Sequence, residues 1–203
     1  MGTRSKRADR CARCRMHTAQ CICELLPQLD LQTKVIVVMH HREWKKPTAS
    51  AALFAECAPS AEIRLRGQRD QPYRDEGIIC DERRSLLLYP AEDARVLTTA
   101  IVDEDPRPIT LVVPDGSWRQ AAKATQREPV LASLPRVTIP NMGPTRYRLR
   151  HEPKEDGLGT FEAIARALRI IEGESTYQAL NHVFEEMVSR TLATRGAGNY
   201  VEG

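Results

Sequence analysis

Leu111-Val112-Val113-Pro114-Asp115-Gly116-Ser117-Trp118 passes from an aliphatic, β-branched run through an Asp-Gly turn signal to the start of a helical stripe. After Ser117, residues Trp118, Ala121, Ala122 and Thr125 recur at helical spacing, so a buried strand, a sharp turn and a helix are expected in that order. Working outward, Val35–Met39 (VIVVM), Leu86–Tyr89 and Thr110–Val113 are short apolar runs with a turn signal on at least one flank, and each reads as a buried strand. Glu62–Arg66 and Val137–Ile139 are weaker strand candidates, and Ala49–Glu56 is Ala-rich and helical. Strand and helix alternate, which favours a parallel α/β sheet with ligand sites at the carboxyl ends of its strands.

The last third changes pattern. Phe161, Ile164, Ala165, Leu168 and Ile171 form one helical stripe, and Leu180, Val183, Phe184, Met187 and Val188 form another. Gly173 punctuates the gap, and Ser175 and Thr176 are candidate caps for the second helix. The 203 residues suit one principal domain, and 41% hydrophobic with 28% charged residues is ordinary globular composition. No run approaches the roughly 20 apolar residues of a membrane span, and Met1 to Arg10 is polar and basic, so the cytoplasm is the expected compartment. The formal charge of +3 argues nothing alone, but it is concentrated. Arg4, Lys6, Arg7, Arg10 and Arg13 crowd the start, and Arg146, Arg148, Arg150 and Lys154 form a second focus. Such patches suit a phosphate backbone, although many basic runs are only solvated faces.

Three constellations carry candidate chemistry. Cys11, Cys14, Cys21 and Cys23 give C-x2-C-x6-C-x-C, compact enough to wrap one tetrahedral ion. A structural zinc is preferred to an iron–sulfur cluster and to free or oxidised thiols. Four protein ligands leave no open position for substrate. His17 reads as a surface residue, and the isolated Cys57 and Cys80 as small core hydrophobes. Asp115 is placed at the ligand-facing edge of the sheet, near a helix N-terminus that favours its ionised form. On spacing alone an N-cap or Asx turn is the preferred reading of Asp-Gly-Ser, and a core residue of the helical stripe the preferred reading of Trp118. Third, alternation in Pro144-Thr-Arg146-Tyr147-Arg148-Leu-Arg150 aims three guanidinium groups at one face of an extended segment. Gly157-Leu-Gly159 lacks a third glycine and is a weak dinucleotide signal, but it opens a helix whose N–H groups could seat a small carboxylate.

In order along the chain these pieces resemble the DTW-domain family of tRNA-uridine aminocarboxypropyltransferases. The matching elements are Cys11-Ala-Arg13-Cys14 with Cys21-Ile-Cys23; Met39-His40-His41-Arg42-Glu43 followed by Lys46-Pro-Thr48-Ala-Ser50; Leu87 to Pro90; Asp115-Gly-Ser-Trp118; Tyr147 to Arg150; and Leu158-Gly-Thr160-Phe-Glu162-Ala163. Ser117 stands where the signature has Thr and keeps the hydroxyl. Gly159 stands where Ser is usual and loses one. The resemblance implies a SPOUT-like parallel sheet with a knotted C-terminal region. It divides the chain into a basic zinc-binding segment over 1–30, a catalytic domain over 31–195 and a flexible tail over 196–203. It implies S-adenosylmethionine as donor, with the 3-amino-3-carboxypropyl group passing to N3 of a tRNA uridine and methylthioadenosine leaving. Asp115, Ser117 and Trp118 would be catalytic. Leu88, Tyr89, Pro90, Pro114, Gly116, Gly159, Thr160 and Glu162 would hold the donor, and Lys46, Arg146, Tyr147, Arg148 and Arg150 the RNA. A monomer is expected. The competing readings are a SPOUT-type RNA methyltransferase, an aminocarboxypropyltransferase acting on ribosomal RNA, and a non-catalytic zinc-containing RNA-binding module.

Overall fold

The computed structural model describes residues 9–46, 49–71, 73–146 and 157–194. Two 3-10 turns, Thr18–Gln20 and Cys23–Leu25, precede β1 (Lys34–His40), a single helical turn α1 (His41–Trp44) and α2 (Ser50–Cys57). Then come β2 (Glu62–Arg66), β3 (Arg84–Leu88), β4 (Arg95–Val96), α3 (Thr99–Asp103), β5 (Ile109–Asp115) and α4 (Trp118–Arg127). The chain continues with α5 (Pro129–Ser133), β6 (Arg136–Thr138), α6 (Thr160–Ile171) and α7 (Glu174–Thr194).

The strands form one six-stranded sheet in the order β2-β1-β5-β3-β6-β4, and every pairing is parallel. Parallel sheets are covered on both faces, and the two halves of each apolar run go to opposite sides. Val35, Val37 and Met39, with Leu111 and Val113, join the larger core under α2, α6 and α7. Their neighbours Ile36, Val38 and Val112 pack with Ala124 of α4 and Leu131 of α5 on the other face. A β-branched run can therefore be apolar throughout without a polar alternation. Phe161 locks the larger layer, meeting Phe54 edge-on at 5.9 Å and stacking on Phe184 at 5.5 Å, which ties α2, α6 and α7 together.

All five expected strands are present within a residue or two of their expected ends. β4 is additional: its two residues are exposed and carry no periodic signal. The expected caps of the last helix are corrected, because α7 begins at Glu174, directly after Gly173 at φ +100°, so Ser175 and Thr176 lie inside its first turn. Cys57 is wholly buried, whereas Cys80 is only half-buried beside an isolated bridge to Arg83. The expected knotted C-terminal region takes in 147–156, which lie outside the described residues, as does the expected tail over 196–203.

The N-terminal segment packs against the rest. Cys14, Met16, Ile22 and Leu26 belong to the same apolar cluster as α7, and Arg190 of α7 donates to the Cys21 carbonyl at 2.6 Å. Arg13 forms an ion pair with Glu56 of α2 at 2.7 Å.

Candidate active site and metal centre

The β3–β5 ladder stops at Leu87↔Val112, while β1 and β5 stay paired through Met39↔Asp115. Pro114 has no N–H with which to extend a ladder, so the strand ends part at this point. A cavity of about 670 Å³ occupies the resulting crevice, within the size range of small-molecule sites. Leu88 at the end of β3, with Tyr89 and Pro90 beyond it, forms one wall, and Pro114 to Trp118 form another. Gly159 and Thr160 at the start of α6 close a third side.

Asp115 is the last residue of β5, half-buried in this cavity, and its Oδ1 accepts the Thr160 hydroxyl at 2.5 Å. The cap of α4 is a different residue. Ser117 accepts from the Gln120 amide at 3.4 Å, and the Gln120 side-chain oxygen accepts from the Ser117 amide at 2.8 Å, a reciprocal capping box. The helix therefore does not need Asp115, and the Ser117 hydroxyl has a structural task. Gly116 lies at φ +157°, where an added Cβ would sit 2.9 Å from both Cβ and Oε1 of Gln120. Only glycine admits the box at this turn. Trp118 is half-buried and lines the cavity, so it is more than the first residue of the core stripe.

Glu162, expected to hold the donor, points elsewhere. Its side chain is buried with that of Arg166 in an i,i+4 ion pair at 2.7 Å. Together they grip 143–146: Arg166 donates to the carbonyls of Gly143 (3.0 Å) and Pro144 (2.9 Å), while Glu162 accepts from the Thr145 hydroxyl (2.6 Å) and the Arg146 amide (3.1 Å). The pair fixes the wall carrying Asn141, Met142 and Gly143, which sequence reasoning missed for want of any periodicity there. Arg166 itself reaches the cavity, but Glu162 is not among its lining residues. Arg146 turns its guanidinium to Glu185 of α7. Tyr147, Arg148 and Arg150 lie outside the described residues.

Glu43 also escaped assignment, although its motif was legible. It is 4% exposed, lines the cavity and accepts from Lys46 Nζ at 2.6 Å. Lys46 is half-exposed at the rim rather than in the cavity wall.

At the other centre, the Sγ atoms of Cys11, Cys14, Cys21 and Cys23 all lie within 4.8 Å of one another. The Cys11–Cys23 pair is 3.5 Å apart and the Cys14–Cys21 pair 3.7 Å. A zinc tetrahedron with bonds of about 2.3 Å has sulfur–sulfur edges of about 3.8 Å, whereas a disulfide needs about 2 Å, so the donor set fits an ion. Backbone N–H groups of Cys14 and Arg13 pull the Cys11 thiol down to about 6. Burial raises Cys14 and pushes Cys23 up to about 12. His17 is not part of the cluster.

A parallel α/β sheet with a ligand-sized crevice over its carboxyl edge places this chain among the α/β folds that take ligands at the carboxyl ends of their strands. A family model described as the DTW domain matches residues 8–192, and the chain belongs to that family. It is similar to proteins named tRNA-uridine aminocarboxypropyltransferase 2 from Macaca fascicularis and Mus musculus, at 28% and 27% identity over 86% of this chain. The chain spans 60% of the length of those two relatives. The Drosophila melanogaster protein of the same name is 30% identical over 82% of this chain and 68% of its own length. Among solved structures, the SAM-dependent rRNA:acp-transferase Tsr3 from Vulcanisaeta distributa shares the fold with a TM-score of 0.53. That match covers 82% of this chain and 80% of the other at 15% identity.

Proposed function

We propose that this protein transfers the 3-amino-3-carboxypropyl group of S-adenosylmethionine to N3 of a uridine in tRNA. The carrying observation is Asp115. It is a carboxylate on the last residue of the central strand, facing a donor-sized cavity and held by Thr160, while Ser117 and Gln120 form the capping box of α4. The names of the fly, mouse and macaque relatives support the substrate and the transferred group.

The donor supplies a carbon already activated by its sulfonium, so the protein's task is alignment and handling one proton. The Asp115 carboxylate accepts the hydrogen of uridine N3 and raises the electron density of the nitrogen as it forms its bond to carbon. The carbon–sulfur bond breaks with its electron pair going to sulfur, and methylthioadenosine leaves neutral. The Thr160 hydroxyl holds the carboxylate in orientation. Leu88 to Pro90, Pro114, Gly116, Gly159 and Thr160 shape the donor's seat and exclude water from it, while Glu162 acts on the wall at second hand.

The reading also assigns 1–30 to zinc and 31–195 to catalysis in the cytoplasm. Four thiolates fill a tetrahedral ion, so it is structural. Metal analysis of protein purified under reducing conditions is expected to give one zinc per chain. Iron with visible charge-transfer absorption, or no metal, removes that assignment.

The decisive experiment is mass analysis of unmodified tRNA incubated with purified protein and labelled S-adenosylmethionine. A gain of the aminocarboxypropyl group is expected. A gain of methyl makes the protein a methyltransferase, and an unchanged tRNA removes the enzymatic reading. Gain on ribosomal RNA alone transfers the activity to that substrate.

A further inference from the structure

The tight turn after Cys11 ends on Arg15, whose amide donates to the Cys11 carbonyl at 2.9 Å. Arg15 adopts φ +61°, the only positive φ at a non-glycine position among the described residues. A bulky residue accepts this conformation only when other contacts hold it there. The contacts lead to Trp44. The Arg15 guanidinium lies over the indole at 3.8 Å, and its Nη1 donates to the Trp44 carbonyl at 2.8 Å. Arg10 in turn donates to the Arg15 carbonyl at 3.0 Å.

Trp44 stays 38% exposed even with Arg15 against it, one of three large hydrophobic side chains so exposed among the described residues. It directly follows Glu43, which lines the cavity, while Trp44 itself is not part of the cavity lining and stays on the outer surface of the same helical turn. Its exposed surroundings are cationic. Arg10, Arg42 and Lys45 are exposed and Lys46 stands at the rim. The neighbouring acids are largely neutralised, since Glu43 is buried on Lys46 and Glu56 is held by Arg13. Asp9, Glu24 and Asp30 are the exposed acids of the N-terminal segment, of which Asp9 is beside Arg10 in the chain.

We propose that the Arg15–Trp44 pair is a stacking platform for an unpaired nucleobase of the RNA substrate, next to the uridine that enters the cavity. The inference rests on the tRNA reading above. An aromatic face flanked by cations recognises a base through its π surface and the backbone through its phosphates, without regard to sequence. The cysteine cluster thereby acquires a part in substrate binding, because the turn it anchors carries the guanidinium that braces the indole.

The test compares wild-type protein with Trp44→Ala, Trp44→Leu and Trp44→Phe on two probes, an unmodified tRNA and a blunt RNA duplex of similar length. Removal of a base-stacking aromatic weakens binding by about five- to a hundredfold, so that loss on tRNA is expected for Ala and for Leu. Phe is expected to stay within about threefold of wild type, since it keeps a ring. Duplex binding depends on phosphate contacts and is expected to change by less than about twofold in all three. Melting temperatures and S-adenosylmethionine affinity are recorded alongside; Leu keeps apolar bulk, so a purely structural role would leave Leu close to Phe. Equal tRNA affinity across the series, or equal losses on tRNA and duplex, overturns the platform. Wild-type protein that transfers to tRNA while Trp44 proves irrelevant defeats this inference alone. Wild-type protein that neither prefers tRNA to duplex nor transfers to it defeats the parent reading and this one together.

Discussion

Asp115→Asn is expected to lower single-turnover transfer at least about a hundredfold, the scale of general-base assistance, with little change in melting temperature or in either dissociation constant. The amide is isosteric, and its oxygen still accepts from the Thr160 hydroxyl that meets Oδ1 now. The cap of α4 is untouched because Ser117 and Gln120 supply it. What disappears is the negative charge that, in the proposed reaction, polarises uridine N3. Near-normal single-turnover rates in this variant would return Asp115 to a purely structural role.

Breaking the clamp between Glu162 and Arg166 has the largest expected effect on stability. Both side chains are buried, and removing one partner strands the other's charge away from water, which costs about 3–5 kcal/mol. Glu162→Ala is expected to show that loss as an earlier urea midpoint with an unchanged slope. Replacing both residues by Met removes the stranded charge and is expected to recover most of the stability. It does not restore the bonds to Gly143, Pro144, Thr145 and Arg146, so the wall at 141–143 loses its anchor. The double variant is accordingly expected to fold well and bind S-adenosylmethionine poorly. Full donor affinity in a stable double variant would show that the wall holds its shape without the clamp.

The central strands were legible because burial on both faces demands uninterrupted β-branched or aliphatic residues, and VIVVM can serve little else. Glu62–Arg66 gave a weaker signal for a physical reason. It is an edge strand whose Arg64 and Glu62 pair with each other while Ile63 and Leu65 stay only partly covered. β4 could not be read, since two exposed residues carry no pattern. In the site, Asp115 followed from the strand-turn-helix order, and the cysteine spacing from the geometry of one ion. The Ser117-x-x-Gln120 box was written in the sequence and identifies the cap, yet Asp115 competed with it for the same role. Glu162 was named from a motif position, which does not reveal orientation. The side chain pairs with Arg166 one helical turn on, and the segment they hold lies well before them in the chain. Glu43 had the converse problem, since burial beside the crevice depends on how β1 meets β5.

That meeting sets the order of events when the protein is made. β1 pairs with β5 from Lys34↔Thr110 to Met39↔Asp115, whereas β2, its other neighbour, comes off the ribosome much sooner. At roughly 5–20 residues per second, the carboxyl half of the central ladder arrives on the order of 4–15 s after β1. Through that interval the run Val35–Met39 has one unpaired edge and two uncovered apolar faces, the kind of surface on which nascent chains aggregate. Loop closure over so long a separation is also slow relative to local helix formation. The crevice is bounded by the last residues of β5, so no binding site exists before the strand docks, and no ligand of the crevice can assist the chain through its most vulnerable stage.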